Sequence, residues 1–177
     1  MTPTTPPTIQ LLVLDVDGVL TDGGIYVDAH GVELKRYHVM DGFALRMWER
    51  MGLRAAVITG RTGQSILHRM ADLRVAEVIQ GSKDKSAALD EVAARTGIAP
   101  AAMAFLGDDW PDLPALRRVG YPMAVANAAP QVKVAARFIT PRPGGSGAVR
   151  DAVEHLLTSM NLLEAALRLY DPAYGQG

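Results

Sequence analysis

The sequence contains no cysteine. That excludes disulfide staples, thiolate nucleophiles and cysteine zinc sites, and it points to a reducing compartment. Nor does any segment approach the ~20 apolar residues needed to span a bilayer. The stretch Met1 to Ile9 carries Pro and Thr but neither Lys nor Arg, and the apolar run after it is interrupted by Asp15 and Asp17. This is not the pattern of a signal peptide, so a cytoplasmic, soluble protein is expected. An excess of one charge is also missing: 18 Lys and Arg stand against 19 Asp and Glu, a net charge of −1. Neither nucleic acid nor a membrane surface is favoured as a partner, and any anionic ligand must be held by a local cluster of cations.

What is there is globular. The chain has 177 residues, 49% apolar and 21% charged, enough to bury a core unaided. No internal repeat or low-complexity block divides it. The expectation is one domain over residues 9–170, with a flexible tail at 1–8 and a second tail at 171–177. The run Ile9 to Gly18 is nearly continuous in apolar residues before two aspartates, as a parallel strand buried on both faces requires. Beyond it the pattern alternates. Helices are predicted over 41–51, 62–73, 84–96, 111–119 and 131–136, with a longer one over 147–169 broken near Asn161. Strands are predicted over 53–59, 75–79, 103–106, 121–125 and 137–140. This alternation specifies an α/β fold: a Rossmann-like, three-layer parallel sheet with right-handed crossovers. One segment breaks it. Residues 25–28 and 32–39, around Ala29-His30-Gly31, read as a β-hairpin (about 24–39) projecting between the first strand and the first helix.

In such a sheet, ligands bind beyond the carboxyl ends of the strands. Asp15 and Asp17 end the first strand, Thr59 and Gly60 the second, and Asp108, Asp109 and Asp112 follow the strand through Leu106, while Lys85 opens a helix. So many carboxylates at one rim are costly unless a cation joins them, and Mg²⁺ suits a few carboxylates plus a substrate phosphate. An ionised aspartate there can attack phosphorus, a second carboxylate two residues on can protonate the leaving alkoxide and then activate water, and a hydroxyl and a lysine can cradle the transferring group. Singly, each signal has a plain structural explanation: Asp17-Gly18 as a turn, Lys85 as a solvated helix residue, Asp108-Asp109 as a helix cap. Their order along the chain, each at a strand end or helix start, favours the catalytic reading.

These motifs resemble those of the haloacid dehalogenase superfamily of phosphohydrolases: Asp15-Val-Asp17-Gly18-Val-Leu-Thr21, Ile58-Thr59-Gly60-Arg61, Asp84-Lys85, and Gly107-Asp108-Asp109-Trp110-Pro111-Asp112. The resemblance implies Asp15 as nucleophile and Asp17 as general acid/base. It implies Thr59 and Lys85 on the phosphoryl oxygens, and Mg²⁺ on Asp15, Asp108 and the backbone carbonyl of Asp17. The segments between motifs are too short for a cap domain, which places the chain with the capless subgroup. Further marks are Asp22-Gly-Gly-Ile-Tyr26, Glu33-Leu34-Lys35, Asp41-Gly42, Gln80-Gly81 and Gly144-Gly145-Ser146-Gly147-Ala148-Val149-Arg150. They are similar to those of capless phosphatases of lipopolysaccharide biosynthesis that act on 3-deoxy-D-manno-octulosonate 8-phosphate, with nine-carbon ulosonate 9-phosphates as the alternative substrate. In that subgroup the hairpins of four subunits form a barrel and neighbouring subunits cover each site, implying a homotetramer. A substrate carrying both phosphate and carboxylate needs cations besides Lys85. The resemblance points to Arg46, Arg61 and Arg69, with contacts from His38, Val39, Met40, Asp41 and Gly42, and with Arg150 in support. Two positions depart from the subgroup's pattern: Met40, where an arginine is common, and Asp151, where a glutamate is usual. A phospho-accepting signalling domain is the rival reading from another class, and Asp17, placed to activate water, argues for turnover instead.

Overall fold

The computed structural model describes residues 8–175; most of the expected N-terminal tail and the last two residues lie outside the described residues. Its centre is β1 (Leu11–Leu14), four apolar residues all buried, as a strand covered on both faces must be. Around it run β4 (Arg54–Ile58), β5 (Glu77–Ile79), β6 (Met103–Gly107), β7 (Tyr121–Ala124) and β8 (Phe138–Ile139), in the parallel order β5-β4-β1-β6-β7-β8.

The chain leaves β1 toward β4 and β5, then crosses back to β6 and runs outward to β7 and β8. Right-handed crossovers made in opposite directions carry their helices to opposite faces. Thus α1 (Val39–Arg50) packs against α6 (Ala148–Ser159) on one side, and α3 (Lys85–Thr96), α4 (Leu113–Leu116) and α5 (Pro130–Ala135) pack together on the other. α2 (Gln64–Asp72) links β4 to β5, and α7 (Leu163–Arg168) follows α6 after a break where Asn161 takes φ +59°. Two of the chain's largest fully buried side chains, Trp48 on α1 and Phe105 on β6, sit in this core. Trp48 still places its indole N–H, 2.7 Å from the Arg54 carbonyl.

The reversal of direction falls between β1 and β6, so the fold opens a crevice at their carboxyl ends. Register aligns those ends: Leu14 pairs with both Val57 and Leu106, which brings the residues just beyond, Asp15, Thr59 and Asp108, to one rim.

The hairpin is present but shorter than the pattern suggested. β2 (Tyr26–Val27) and β3 (Glu33–Leu34) pair, closed by the Val32 carbonyl accepting from the Asp28 N–H and by Gly31 at φ +77°, and a single antiparallel bridge joins Tyr37 to Thr21 at the base. α1 starts at Val39 rather than Asp41, because the His38 side chain caps it through the Met40 N–H. The helix expected over 111–119 is instead a tight turn at Trp110–Asp112 running into the four residues of α4. The segment after α7 lies back on α1: Tyr170 packs against Phe43, the rings tilted by 45° with centroids 4.9 Å apart, and lies under the Arg50 guanidinium at 4.8 Å.

Candidate active site

Asp15 leaves β1 in extended conformation, and its Oδ1 accepts from the Val16 N–H at 2.7 Å. The chain then makes one wide turn, closed by the Thr21 N–H on the Val16 carbonyl at 3.0 Å, with Asp17 extended at its crest. Gly18 follows at φ +88°, a conformation that side chains resist. A Cβ there would also lie 2.1 Å from Asp108 Oδ2, so only glycine lets the carboxylate from β6 close onto the loop from β1. Gly144 braces the loop from behind, because a Cβ on it would strike the Gly18 carbonyl at 1.7 Å. The glycine-rich segment before α6 is thus a backbone-to-backbone wedge holding the β1 loop in place.

Lys85 is the first residue of α3, where a cation opposes the helix dipole. Two carboxylates reverse that cost. Its buried ammonium lies 2.9 Å from Asp15 Oδ2 and 2.5 Å from Asp112 Oδ1. Burial alone would lower the lysine's pKa, but Asp15 and Asp112 outweigh it and the net shift is upward. Asp112 is consumed as a scaffold, since its other oxygen accepts from the backbone N–H of Asp108 at 2.9 Å and of Asp109 at 3.3 Å. Asp109 caps the following turn through the Trp110 N–H.

Asp15 and Asp108 remain as the carboxylates facing the crevice. Burial lifts Asp15 to about 6, with Lys85 pulling it down and Asp112 pushing it up. Burial, then Asp112 and Asp15, lift Asp108 to about 8. One oxygen each of Asp15, Asp108 and Asp112 lie within 4.8 Å of one another. Hard oxygen donors crowded this closely, with the charge on two of them suppressed, fit a small divalent cation.

Across the crevice stands Thr59, 1% exposed, its Oγ accepting from the Arg61 N–H at 3.2 Å. The cleft holds about 440 Å³ and is lined by Asp15, Asp17, Thr59, Gly60, Arg61 and Lys85 together with Ser82, Lys83, Asp108, Asp109, Pro111 and Asp112. Asp17 reaches it from the crest of the turn. Its Oδ1 receives the Lys35 ammonium at 2.5 Å, while Oδ2 is buried without a hydrogen-bond partner among the described residues. Lys35 also binds Glu33 at 2.7 Å, and Glu33 binds Arg61 at 2.5 Å. Burial would lower the Lys35 pKa, but these two carboxylates raise it.

The structure therefore brings one group of the expected residues together and disperses another. The expected group Asp15, Asp17, Thr59, Gly60, Arg61, Lys85, Asp108, Asp109 and Asp112 is brought together. His38, Val39, Met40, Arg46, Arg69 and Arg150 do not line this cleft. Asp41 and Gly42, expected at the substrate, are instead internal supports. Asp41 is 1% exposed and accepts from the backbone N–H groups of Gly147 at 3.2 Å and Arg150 at 3.0 Å, capping α6 from α1. Gly42 lies under the Arg69 guanidinium. Arg46 and Arg69 pair with Glu49 and Asp72 on their own helices, and Arg150 pairs with Glu154 and lies over the Phe43 ring. The two departures from the subgroup's pattern meet at one side chain: Arg142 grips Asp151 and sets its Nη1 3.6 Å from Met40 Sδ, so a guanidinium is present beside position 40 all the same. Lys35 was missed as a member of the site. Its alternation with Glu33 along one strand face was visible, but not that this face turns toward Asp17.

A carboxylate pair at the switch point of a parallel α/β sheet, a buried lysine between two aspartates and a hydroxyl opposite define a phosphohydrolase of the haloacid dehalogenase type. Residues 71–151 match the family model of haloacid dehalogenase-like hydrolases. The chain is 39% identical over 158 residues to the 3-deoxy-D-manno-octulosonate 8-phosphate phosphatase KdsC of Salmonella typhi, covering 89% of this chain and 84% of that protein. A crystal structure of 3-deoxy-D-manno-octulosonate 8-phosphate phosphatase from Moraxella catarrhalis, in complex with magnesium, phosphate and KDO, superposes with a TM-score of 0.90 at 35% identity, over 94% of this chain and 96% of that one. A probable YrbI family phosphatase from Pseudomonas syringae matches with a TM-score of 0.90 at 42% identity, over 94% of both chains. The chain belongs to the 3-deoxy-D-manno-octulosonate 8-phosphate phosphatase family.

Proposed function

We propose that the protein is a Mg²⁺-dependent phosphomonoesterase that converts 3-deoxy-D-manno-octulosonate 8-phosphate to the free sugar acid and inorganic phosphate, a cytoplasmic step of lipopolysaccharide biosynthesis. The observation that carries the reading is the buried Asp15, held 2.9 Å from Lys85 and close to Asp108 at the mouth of β1. The Salmonella, Moraxella and Pseudomonas relatives support it.

Asp15, Asp108 and the Asp17 carbonyl would hold Mg²⁺, which when bound neutralises phosphoryl and carboxylate charge together. Lys85 and Thr59 bind the remaining phosphoryl oxygens. An Asp15 oxygen forms a bond to phosphorus as the ester P–O bond breaks, and Asp17 gives its proton to the departing sugar oxygen. Asp17, now ionised, takes a proton from water as that water attacks the aspartyl phosphate. Phosphate leaves, Asp15 is restored and Asp17 is again protonated. Arg61, on the cleft wall, meets the sugar acid, where a planar guanidinium suits a carboxylate.

The hairpin supports a homotetramer. Ile25, Tyr26, Val27, Val32 and Leu34 are all exposed on this small ribbon, with Val27 58% and Leu34 57% exposed, and burial between copies of the chain removes that apolar surface from water. Assembly would carry His38, Val39, Arg46 and Arg69 of one subunit toward a neighbour's cleft. Sedimentation of the purified chain should give a tetramer's mass, and a monomer would overturn this part of the reading.

Phosphate release from a panel of sugar-acid phosphates, with and without Mg²⁺, tests the function. Metal-dependent turnover concentrated on the eight-carbon ulosonate is expected. Preference for a nine-carbon ester would keep the mechanism and change the substrate. Stable phosphorylation by acetyl phosphate without ester hydrolysis would overturn the enzyme reading in favour of a signalling domain.

The metal's effect on stability should depend on pH with a defined sign. In the folded, metal-free protein Asp15 and Asp108 keep protons up to about 6 and about 8, whereas unfolded they ionise at the ordinary aspartate value of 3.8. Between those limits the native state binds more protons than the unfolded one, so metal-free stability falls as pH rises through 4 to 8. A cation offsets that loss, and protons compete with it least at the alkaline end. The rise in Tm produced by Mg²⁺ should therefore be larger at pH 8 than at pH 6, as thermal melts would report; an equal rise at both would remove these carboxylates from the metal site.

A further inference from the structure

We propose that Lys35 is a positioning residue for the reaction: through its bond to Oδ1 it fixes the orientation in which the Asp17 carboxyl group meets the departing sugar oxygen. The inference rests on Asp17 being the acid/base of the proposed function. Its ground is geometric. The Lys35 side chain is only 2% exposed although it lies on a ribbon whose apolar residues face solvent. Its ammonium bridges Asp17 Oδ1 at 2.5 Å and Glu33 Oε1 at 2.7 Å. Glu33 is tied in turn to Arg61, beyond β4, at 2.5 Å. A chain of charge-assisted bonds thus runs from the β1 loop through the hairpin to the β4 loop.

The two oxygens of Asp17 are made unequal by this arrangement. Oδ1 is held by the ammonium, whereas Oδ2 is buried and has no hydrogen-bond partner among the described residues. Without Lys35 the carboxyl group would be free to rotate, and an acid/base held at the wrong angle is of little use in the transition state. Because Lys35 directly follows Leu34 at the end of β3, the ribbon proposed to join subunits also seats the acid/base.

The test separates leaving groups. A sugar alkoxide needs its proton to depart, whereas p-nitrophenolate leaves without one. In Lys35→Met, single-turnover cleavage of the eight-carbon sugar phosphate should fall about 100-fold, the low end of what a positioned acid contributes. KM should stay within about threefold, and the p-nitrophenyl phosphate burst should change by less than about threefold, because substrate binding and the nucleophile are untouched. Lys35→Arg should recover most of the lost rate. Glu33→Gln, a change at a partly buried side chain that leaves the lysine in place, should show the same selective loss at smaller size, and it serves where Lys35→Met is too unstable to assay. Equal losses on both esters would indicate general disruption of the site and overturn the proposal, as would full activity in both Lys35→Met and Glu33→Gln. Asp17→Asn tells the two failures apart. If it abolishes cleavage of the sugar ester while the Lys35 variants do not, only this inference falls; if it leaves the rate unchanged, the assignment of Asp17 itself is wrong.

Discussion

Asp15→Asn should lower phosphate release by about 10⁴-fold or more while the protein stays folded, because it removes the attacking carboxylate and leaves Lys85 one of its two carboxylate partners. The amide keeps an oxygen to accept from the Val16 N–H at 2.7 Å, and Lys85 keeps Asp112 at 2.5 Å. Nor does the fold depend on the Asp15 charge. The carboxyl is lifted to about 6, chiefly by burial, so near neutral pH its ionised form is a cost to the metal-free protein and not a support. The thermal midpoint should hold or rise slightly. No phosphoenzyme should be trapped by acid quench, and Asp15→Ala should match the asparagine variant, which excludes deamidation as a source of residual turnover. Activity above about one per cent of the parent in the alanine variant would refute the nucleophile assignment; the expected loss of about 10⁴-fold or more stands at or beyond the top of what general acid–base help contributes.

The contrast between what could be read from the sequence and what could not has a physical basis. The apolar run into Asp15 and the alternation after it were readable because parallel strands buried on both faces carry no polar positions, and β1 is fully buried as that pattern requires. Strand ends then place Asp15, Thr59 and Asp108 at one rim by topology, without any knowledge of side-chain angles. The capping role of Asp41 was not legible because its partners are the N–H groups of Gly147 and Arg150, more than a hundred residues along the chain, and no local pattern announces a cap supplied by another helix. Lys35 was overlooked for the same reason: two-residue periodicity put it with Glu33 on one face, but which face of a projecting ribbon meets the sheet is decided by tertiary packing. The two-residue shift at the start of α1 follows from His38 acting as a cap through its ring nitrogen, a role more often taken by Ser, Thr, Asp or Asn.

Lys85→Met is expected to damage stability and chemistry by separable amounts. The ammonium is the cation between Asp15 and Asp112, with a side chain only 5% exposed, and methionine fills much of its stem's volume without its charge. Removing one partner of a buried ionic cluster leaves the others uncompensated, at a typical cost of about 3–5 kcal/mol. For a chain of this size that corresponds to a fall in Tm of roughly 6–20 °C. Asp112 cannot relieve the loss by moving, since its other oxygen is committed to the Asp108 and Asp109 N–H groups that shape the metal side of the cleft. Mg²⁺ should return part of the lost stability, because it supplies positive charge beside Asp15 and Asp108, only 4.8 Å or less from Asp112. It should not return activity, because the hydrogen bonds aimed at the phosphoryl oxygens are gone, and loss of one such donor costs about 10²–10³ in rate. Thermal melts and phosphate release, each with and without Mg²⁺, read the two effects independently. A variant whose stability and activity are both restored by the metal would mean that Lys85 serves only to balance charge, and that the phosphoryl group is held by Thr59 and the cation without it.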